Sequence, residues 1–205
     1  MCFFSIYNKF KLRKWRKLTP GRRQQILEQI EEKQAKKLNR PTLPVIINDN
    51  PNWNSYGMFE AKGSTEHLIL SINLLTQENL RFHAMETIMH EGRHAYQYHQ
   101  TNSTNGGLFA KMRAKKWKEN YGGYITSAED QLTYSMQPVE RDAQKYAIKQ
   151  MRKMRFRFRN EDDYTITLEA MEYRYNETIK RMRQKHGIFY RQKMNKQIKE
   201  KNRFK

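Results

Sequence analysis

The sequence predicts an α+β fold in which a small antiparallel sheet packs on one long helix, with a helix-rich C-terminal half and basic helical arms at both ends. Short β-branched runs and turn residues fill positions 41–75, and apolar residues at helical spacing dominate from position 76 onward. Lys and Arg are concentrated in both terminal segments. We therefore divide the chain into a basic N-terminal helical arm at 1–40, a central domain at 41–160 and a basic C-terminal helix at 161–205.

The N-terminal arm is basic and amphipathic. Residues 1–40 contain twelve Lys or Arg against three Glu. Thr19 and Pro20 form a good helix start, because Thr caps the first turn and Pro suits the first helical position. A thin apolar stripe follows, and the helix is expected to end before Pro41.

Three runs in the next segment are typical of strands. They are PVIIN (44–48), YGMFEAK (56–62) and HLILSINLL (67–75). Turn-forming sequences, NDNPNWN and KGST, separate them. We expect these runs to form the small antiparallel sheet.

A long helix is expected after the strands. Thr76 is its predicted cap, and apolar residues recur at helical spacing from Leu80 to Tyr98, which takes the helix to about Gln100. Glu91 falls on this apolar stripe. Because a buried carboxylate is costly unless it is paired, Glu91 indicates a bound cation or a chemical role.

The C-terminal half is predicted to be helical. We expect short helices at 110–119 and 127–135, a longer one from Gln137-Pro138 to about Phe158, and a basic tail helix from Asp163 that Gly187 could kink.

The long helix carries the pattern H-E-x-x-H at His90, Glu91 and His94. Residues four apart on a helix are separated by only about 40° around its axis, so both imidazoles can reach one ion. Tetrahedral zinc accepts two such nitrogens, and the adjacent glutamate can take a proton from the attacking water. We therefore predict that His90 and His94 bind Zn²⁺ and that Glu91 is the general base.

A third protein ligand is needed to complete such a site. His99 faces away from His94, and His83 lies about 10 Å along the helix from His90. Glu140 lies in the first turn of the helix after Gln137-Pro138 and is the preferred candidate. The acidic residues held as alternatives are Glu129, Asp130 and Asp142.

These two segments, HEGRHAYQ and QPVERDAQ, resemble zincin metallopeptidases of the gluzincin type, including small bacterial metallopeptidase and effector domains. The resemblance covers roughly residues 55–150 and leaves out both arms. It implies zinc held by His90, His94 and Glu140, hydrolysis of peptide bonds, and an acid that supports a ligand histidine. In gluzincins that acid usually follows the ligand glutamate by four residues, whereas here position 144 is Gln and the nearby acid is Asp142.

The resemblance also implies an oxyanion donor and a strand that pairs with the substrate. Tyr134 and Tyr146 are the candidate donors. The strand just before the motif helix is expected at the edge of the sheet. Its residues that would pair with the substrate peptide are His67, Leu68, Ile69, Leu70 and Ser71.

Charge and composition support two further readings. The chain has 40 Lys and Arg against 21 acidic residues, a formal charge of +19, which attracts nucleic acid or another polyanion. One alternative is therefore a DNA-associated SprT-like protease, and another is a non-catalytic nucleic-acid-binding or interaction protein with a structural metal site. The run RKMRFRFR (152–159) could hold phosphates and bases, although a solvated basic helix end explains it more simply.

The remaining features bear on the setting of the protein. Cys2 is the single cysteine, so no intramolecular disulfide is possible. No stretch reaches the roughly 18 apolar residues of a membrane span, and the N-terminal segment lacks the order of a secretory signal. The default expectation is a cytoplasmic protein, with signal-independent secretion and a toxin or effector role left open.

Overall fold

A computed structural model of the chain describes residues 4–103 and 107–203. It is mostly helical with a small mixed sheet, as expected for an α+β protein. None of the helices in the described ranges combines the length and the apolar character that crossing a membrane requires.

Most predicted helices and strands are present with ends shifted by a few residues, but the end of the run predicted as a strand at 67–75 forms a short helix instead. The helices are α1 (Phe4–Tyr7), α2 (Leu12–Trp15), α3 (Pro20–Leu38), α4 (Asn73–Thr76), α5 (Arg81–Asn102), α6 (Leu108–Gly122), α7 (Gln131–Met136), α8 (Pro138–Met154), α9 (Asp162–His186) and α10 (Tyr190–Arg203). The strands are β1 (Val45–Asn48), β2 (Gly57–Lys62) and β3 (Thr65–Ser71).

The chain separates into two compact units whose boundaries differ from the predicted 1–40, 41–160 and 161–205. Unit 1 comprises Met1–Arg93 and Tyr146–Glu169, and unit 2 comprises His94–Lys145 and Ala170–Lys205. Helices α5, α8 and α9 contribute residues to both units. The segment predicted as an N-terminal arm belongs to unit 1 and buries Phe10 and Trp15 completely.

The sheet has the order β1-β3-β2, which corrects two predictions. Strand β1 runs parallel to β3 and only β2 is antiparallel to it, so the sheet is mixed. Strand β3 is central, and the expectation that His67, Leu68, Ile69, Leu70 and Ser71 form an edge strand is wrong. The physical reason is burial: Leu68 and Leu70 are fully buried, and the most apolar strand takes the centre of the sheet.

Helix α3 begins as the sequence predicts. The Thr19 side chain accepts a hydrogen bond from the Arg22 amide at 3.3 Å, and Pro20 is the first helical residue. The motif helix α5 starts later than expected, at Arg81, and Thr76 instead ends the short α4. Arg81 is buried, and its guanidinium donates to the Phe10 carbonyl at 2.8 Å and to Glu161 at 2.8 Å.

A buried ion pair fixes the end of α3. Arg40 Nη1 and Nη2 donate to the two Glu31 carboxylate oxygens at 2.6 and 2.7 Å, and Glu31 also accepts the Leu43 amide at 3.1 Å. The two charged side chains are 1% and 0% exposed. The pair joins two buried opposite charges and ties the turn after α3 back to the helix.

Unit 2 has its own apolar core. Gly187 adopts φ 69°, a left-handed conformation that suits glycine and ends α9 before α10 begins. At Gly123 a Cβ would lie 2.0 Å from the Ile198 carbonyl oxygen, so the end of α6 can approach α10 only with glycine there. The core side chains are Ile125, Met136, Met182, Tyr190, Met194 and Ile198.

We expect Arg40→Met to reduce the free energy of unfolding by about 3–5 kcal/mol, because it leaves the Glu31 carboxylate buried without its partner. The double variant Glu31→Leu/Arg40→Met should recover much of this loss. Urea denaturation measures both. The matched control is Arg16→Met, which breaks the exposed pair with Glu78 at 2.7 Å and should change stability by less than about 1 kcal/mol. Equal losses in the single and double variants would contradict a charge-pairing role.

Candidate metal centre

Helix α5 places a row of polar side chains on its buried face. Glu91, His94 and Gln97 follow one another at intervals of three residues and are 8%, 8% and 0% exposed. The burial predicted for Glu91 is thus confirmed. His90, one turn before His94, is half-buried. Since buried polar groups are costly without partners, the rest of the site is explained by what each of these side chains contacts.

Gly92 lets the motif helix approach α3 closely. A Cβ at this position would lie 2.8 Å from the Gln34 side chain and 2.9 Å from Arg40 Nη2. Gln34 also donates a hydrogen bond to the Met89 carbonyl at 2.9 Å. The glycine of the motif is therefore explained by packing against the segment that the Glu31–Arg40 pair holds in place.

Glu91 is bound by strand β2. The backbone amide of Phe59 donates to Glu91 Oε2 at 2.9 Å. Strand and helix approach closely because residue 57 is glycine, where a Cβ would lie 2.4 Å from Thr87 Cγ2. This contact orients the carboxylate that the sequence predicts as general base.

Glu140 lies in the first turn of α8 and is 5% exposed. The start of α8 is fixed by two buried amide side chains. Asn120 accepts the Val139 amide at 3.0 Å, and Gln137 bonds both the amide and the carbonyl of Ile125, at 3.2 and 2.9 Å. Pro138 is the first residue of the helix, which is its favoured position.

His90, His94 and Glu140 converge. One possible ligand atom from each lies within 4.8 Å of the others. His94 Nε2 and Glu140 Oε2 are 3.4 Å apart. Two atoms that each sit about 2.1 Å from a tetrahedral zinc ion are separated by about 3.4 Å, so this pair has the spacing of two ligands. The three residues fit a metal ion of the kind that accepts imidazole and carboxylate.

Gln97 orients the His94 ring. Its Nε2 donates to the Val139 carbonyl at 3.0 Å and to Asp142 Oδ2 at 2.9 Å, which places its Oε1 toward His94 Nδ1 at 2.9 Å. Because Oε1 can only accept, His94 Nδ1 is the donor in this contact, and Nε2 is the atom that faces Glu140.

Tyr124 determines which oxygen of the Glu140 carboxylate faces His94. Its hydroxyl donates to Glu140 Oε1 at 2.5 Å, which leaves Oε2 as the oxygen that faces His94. Burial raises the pKa of Tyr124, and the negative charge of Glu140 raises it further, so the phenol stays protonated and keeps donating.

His94 Nε2 and Glu140 Oε2 face each other across 3.4 Å. A proton on Nε2 would make this contact an ion pair, and a metal ion could take the place of that proton between the two atoms. Because His90 converges on the same point, the three-residue group can hold a metal ion.

The other predicted site residues are placed as follows. Asp142 accepts from Gln97 Nε2, and Gln97 Oε1 in turn contacts His94 Nδ1. The Tyr134 ring packs edge-on against Tyr124 at 6.0 Å. Tyr146 lies under the Arg93 guanidinium at 5.1 Å, and burial raises its pKa to about 12.

Two other histidines pair with nearby glutamates. His67 pairs with Glu60 at 2.9 Å, and His83 with Glu86 at 3.4 Å. The alternative acids also have contacts of their own: Glu129 accepts Lys201 at 2.5 Å, and Asp130 caps α7 and accepts Lys185 at 3.1 Å.

Sequence reasoning missed Gln97, Tyr121 and Tyr124. Tyr121 donates to Gln97 Oε1 at 3.1 Å, so Gln97 uses both its oxygen lone pairs and both its amide hydrogens. The sequence contained one indication of the role of Gln97: it lies three residues after His94, on the same helical stripe as Glu91.

The chain matches no family model, no curated protein and no solved structure.

We expect Gln97→Met to weaken Zn²⁺ binding about 10- to 100-fold, because His94 loses the acceptor that fixes its tautomer and ring orientation. Competition with a chromophoric chelator measures the dissociation constant. Gln100→Met, on the same helix but half-exposed, is the matched control and should bind like the original protein.

A second variant tests the same hydrogen bonds independently, in case Gln97→Met does not fold. Asp142→Asn keeps the side-chain shape on a half-buried position and removes the charged acceptor of Gln97 Nε2, so binding should weaken about tenfold. Unchanged zinc affinity in both variants, with native unfolding curves, would show that this chain of hydrogen bonds does not position His94.

Proposed function

We propose that the protein is a zinc-dependent endopeptidase. The observation that carries the proposal is the convergence of His90, His94 and Glu140 next to a glutamate held by a strand amide. The H-E-x-x-H pattern and the downstream Glu140 support the resemblance to gluzincin-type zincins. This support comes from the motif and its geometry alone.

His90 Nε2 or Nδ1, His94 Nε2 and Glu140 Oε2 would hold the zinc ion. When bound, zinc makes water a better nucleophile at neutral pH and polarises the carbonyl that is attacked. Three protein ligands are typical of catalytic zinc sites, which keep the fourth position open, whereas structural sites use four. Among the described residues, the metal-binding group has three members.

Glu91 is the proposed general base. It takes a proton from the water that attacks the peptide carbonyl and can then deliver it to the departing amine nitrogen. The Phe59 amide holds Oε2 at 2.9 Å, so the carboxylate keeps one orientation while its other oxygen handles the proton. Such a proton transfer contributes about 10²–10⁴-fold to the rate.

The substrate strand is reassigned to β2. In the order β1-β3-β2, the edge strands are β1 and β2, and β2 is the one that contacts Glu91. An extended peptide that pairs with β2 would pass close to the general base, and its main-chain groups would supply affinity without demanding particular side chains. Met58, 42% exposed, lies on this strand.

We expect Glu91→Gln to retain about one equivalent of zinc and to lose proteolytic activity by at least about 100-fold, because the amide cannot accept the proton. Elemental analysis gives the metal content, and release of dye from labelled, unfolded casein gives the rate. Glu86→Gln is the matched control, since Glu86 lies on the same helix and pairs with His83. Native protein without zinc, or a Glu91→Gln variant as active as the original, would overturn the proposal.

A further inference from the structure

Unit 1 contains two adjoining cavities whose linings include several cations. They measure 530 and 200 Å³ and share Lys153 and Arg157. We call this combined surface the basic trough. The larger cavity is in the size range of small-molecule and cofactor sites. The cationic side chains that line the trough are Lys11, Lys33, Lys37, Lys153, Arg157 and Arg159.

One acidic side chain, Glu161, lies in the lining of the trough. Glu161 Oε2 accepts Arg81 Nη2 at 2.8 Å and the Leu12 amide at 3.2 Å. Arg81 is 2% exposed and also pairs with Asp163. Because six cations in the lining outnumber this carboxylate, the lining carries a net positive charge.

The cations are also crowded. The pKa of Lys37 is lowered by burial and, next, by the positive charges of Lys153 and Lys149. Lys37 Nζ donates to the neutral Gln150 side chain at 3.0 Å, which offers no opposing charge. Like charges gathered on a concave surface repel one another, and a bound polyanion would relieve that repulsion.

An exposed aromatic ring lies in the lining of the larger cavity. Phe156 is 78% exposed, and the Arg159 guanidinium lies 4.9 Å from its ring centroid. An exposed aromatic ring beside a guanidinium plane is a platform on which nucleobases stack. The trough therefore combines cations that can pair with phosphates and an aromatic ring on which a base can stack.

We propose that the basic trough binds single-stranded nucleic acid, with Lys11, Lys37 and Lys153 contacting phosphates and Phe156 stacking on a base. The concave shape favours a single nucleic-acid strand over an anionic membrane surface. A single strand can follow cavities of 530 and 200 Å³, whereas a planar anionic bilayer cannot reach their walls. The site uses neither the proposed zinc ligands nor Glu91, so its test is independent of the proposed zinc chemistry.

The test is fluorescence anisotropy with labelled dT12 and U12 between 50 and 300 mM NaCl. Lys37→Gln/Lys153→Gln should weaken binding about 10- to 100-fold and reduce the slope of log affinity against log salt by about 1.4, since two phosphate contacts are lost. Lys111→Gln/Lys118→Gln removes the same charge from exposed positions of unit 2 and should change affinity by less than about threefold.

Phe156→Ala tests the stacking platform. Because the ring is 78% exposed, the variant should fold normally, and binding should weaken about 5- to 100-fold with an unchanged salt slope. Glu91→Gln should bind the oligonucleotides like the original protein, which separates this site from the zinc chemistry.

Three outcomes would overturn the proposal. Equal weakening by the two double-lysine variants would assign binding to the overall charge of +19. Tighter binding to a duplex of equal length would remove the preference for single strands. Binding to phosphatidylserine vesicles without binding to either oligonucleotide would make the trough a membrane-contact surface.

Discussion

The constraint on which the site depends is that one face of α5 buries three polar side chains in succession. Each unsatisfied buried polar group costs about 1–3 kcal/mol, and three of them would approach the whole stability of a small domain, about 5–15 kcal/mol. Glu91, His94 and Gln97 must therefore all find partners. Strand β2 supplies an amide to Glu91, and α8 supplies Glu140, Asp142 and a carbonyl to the other two.

The same hydrogen bonds determine which atoms of His94 and Glu140 face each other. Gln97 accepts from His94 Nδ1, and Tyr124 donates to Glu140 Oε1. His94 Nε2 and Glu140 Oε2 are then 3.4 Å apart. A positive charge shared between them, a proton or a metal ion, is favourable at this separation. Because His90 offers a third possible ligand to the same group, the geometry adds to what the motif alone indicates about a cation site.

Local patterns in the sequence predict the helices well, because helix ends and periodicity depend on residues a few positions apart. The Thr19-Pro20 start of α3 and the burial of Glu91 are confirmed. Strand order was not predictable in the same way. The hairpin of β2 and β3 is local, but whether β1 joins beside β2 or β3 depends on which strand buries more of its side chains, a tertiary property. Gln97 was missed because a single amide has no characteristic spacing, and its role appears only when α8 is placed beside it.

The net charge of the chain does not by itself locate a binding site. A net charge of +19 predicts attraction to any polyanion but no particular surface, because lysines that point outward on separate helices repel one another only weakly through solvent. The basic trough differs in three respects that composition cannot show. Its cations line concave walls, its one lining carboxylate is already paired with Arg81, and an exposed ring, Phe156, is adjacent. The fold keeps these cations close together although their repulsion costs free energy. A negatively charged ligand would offset that cost on binding, which explains why the cations are grouped.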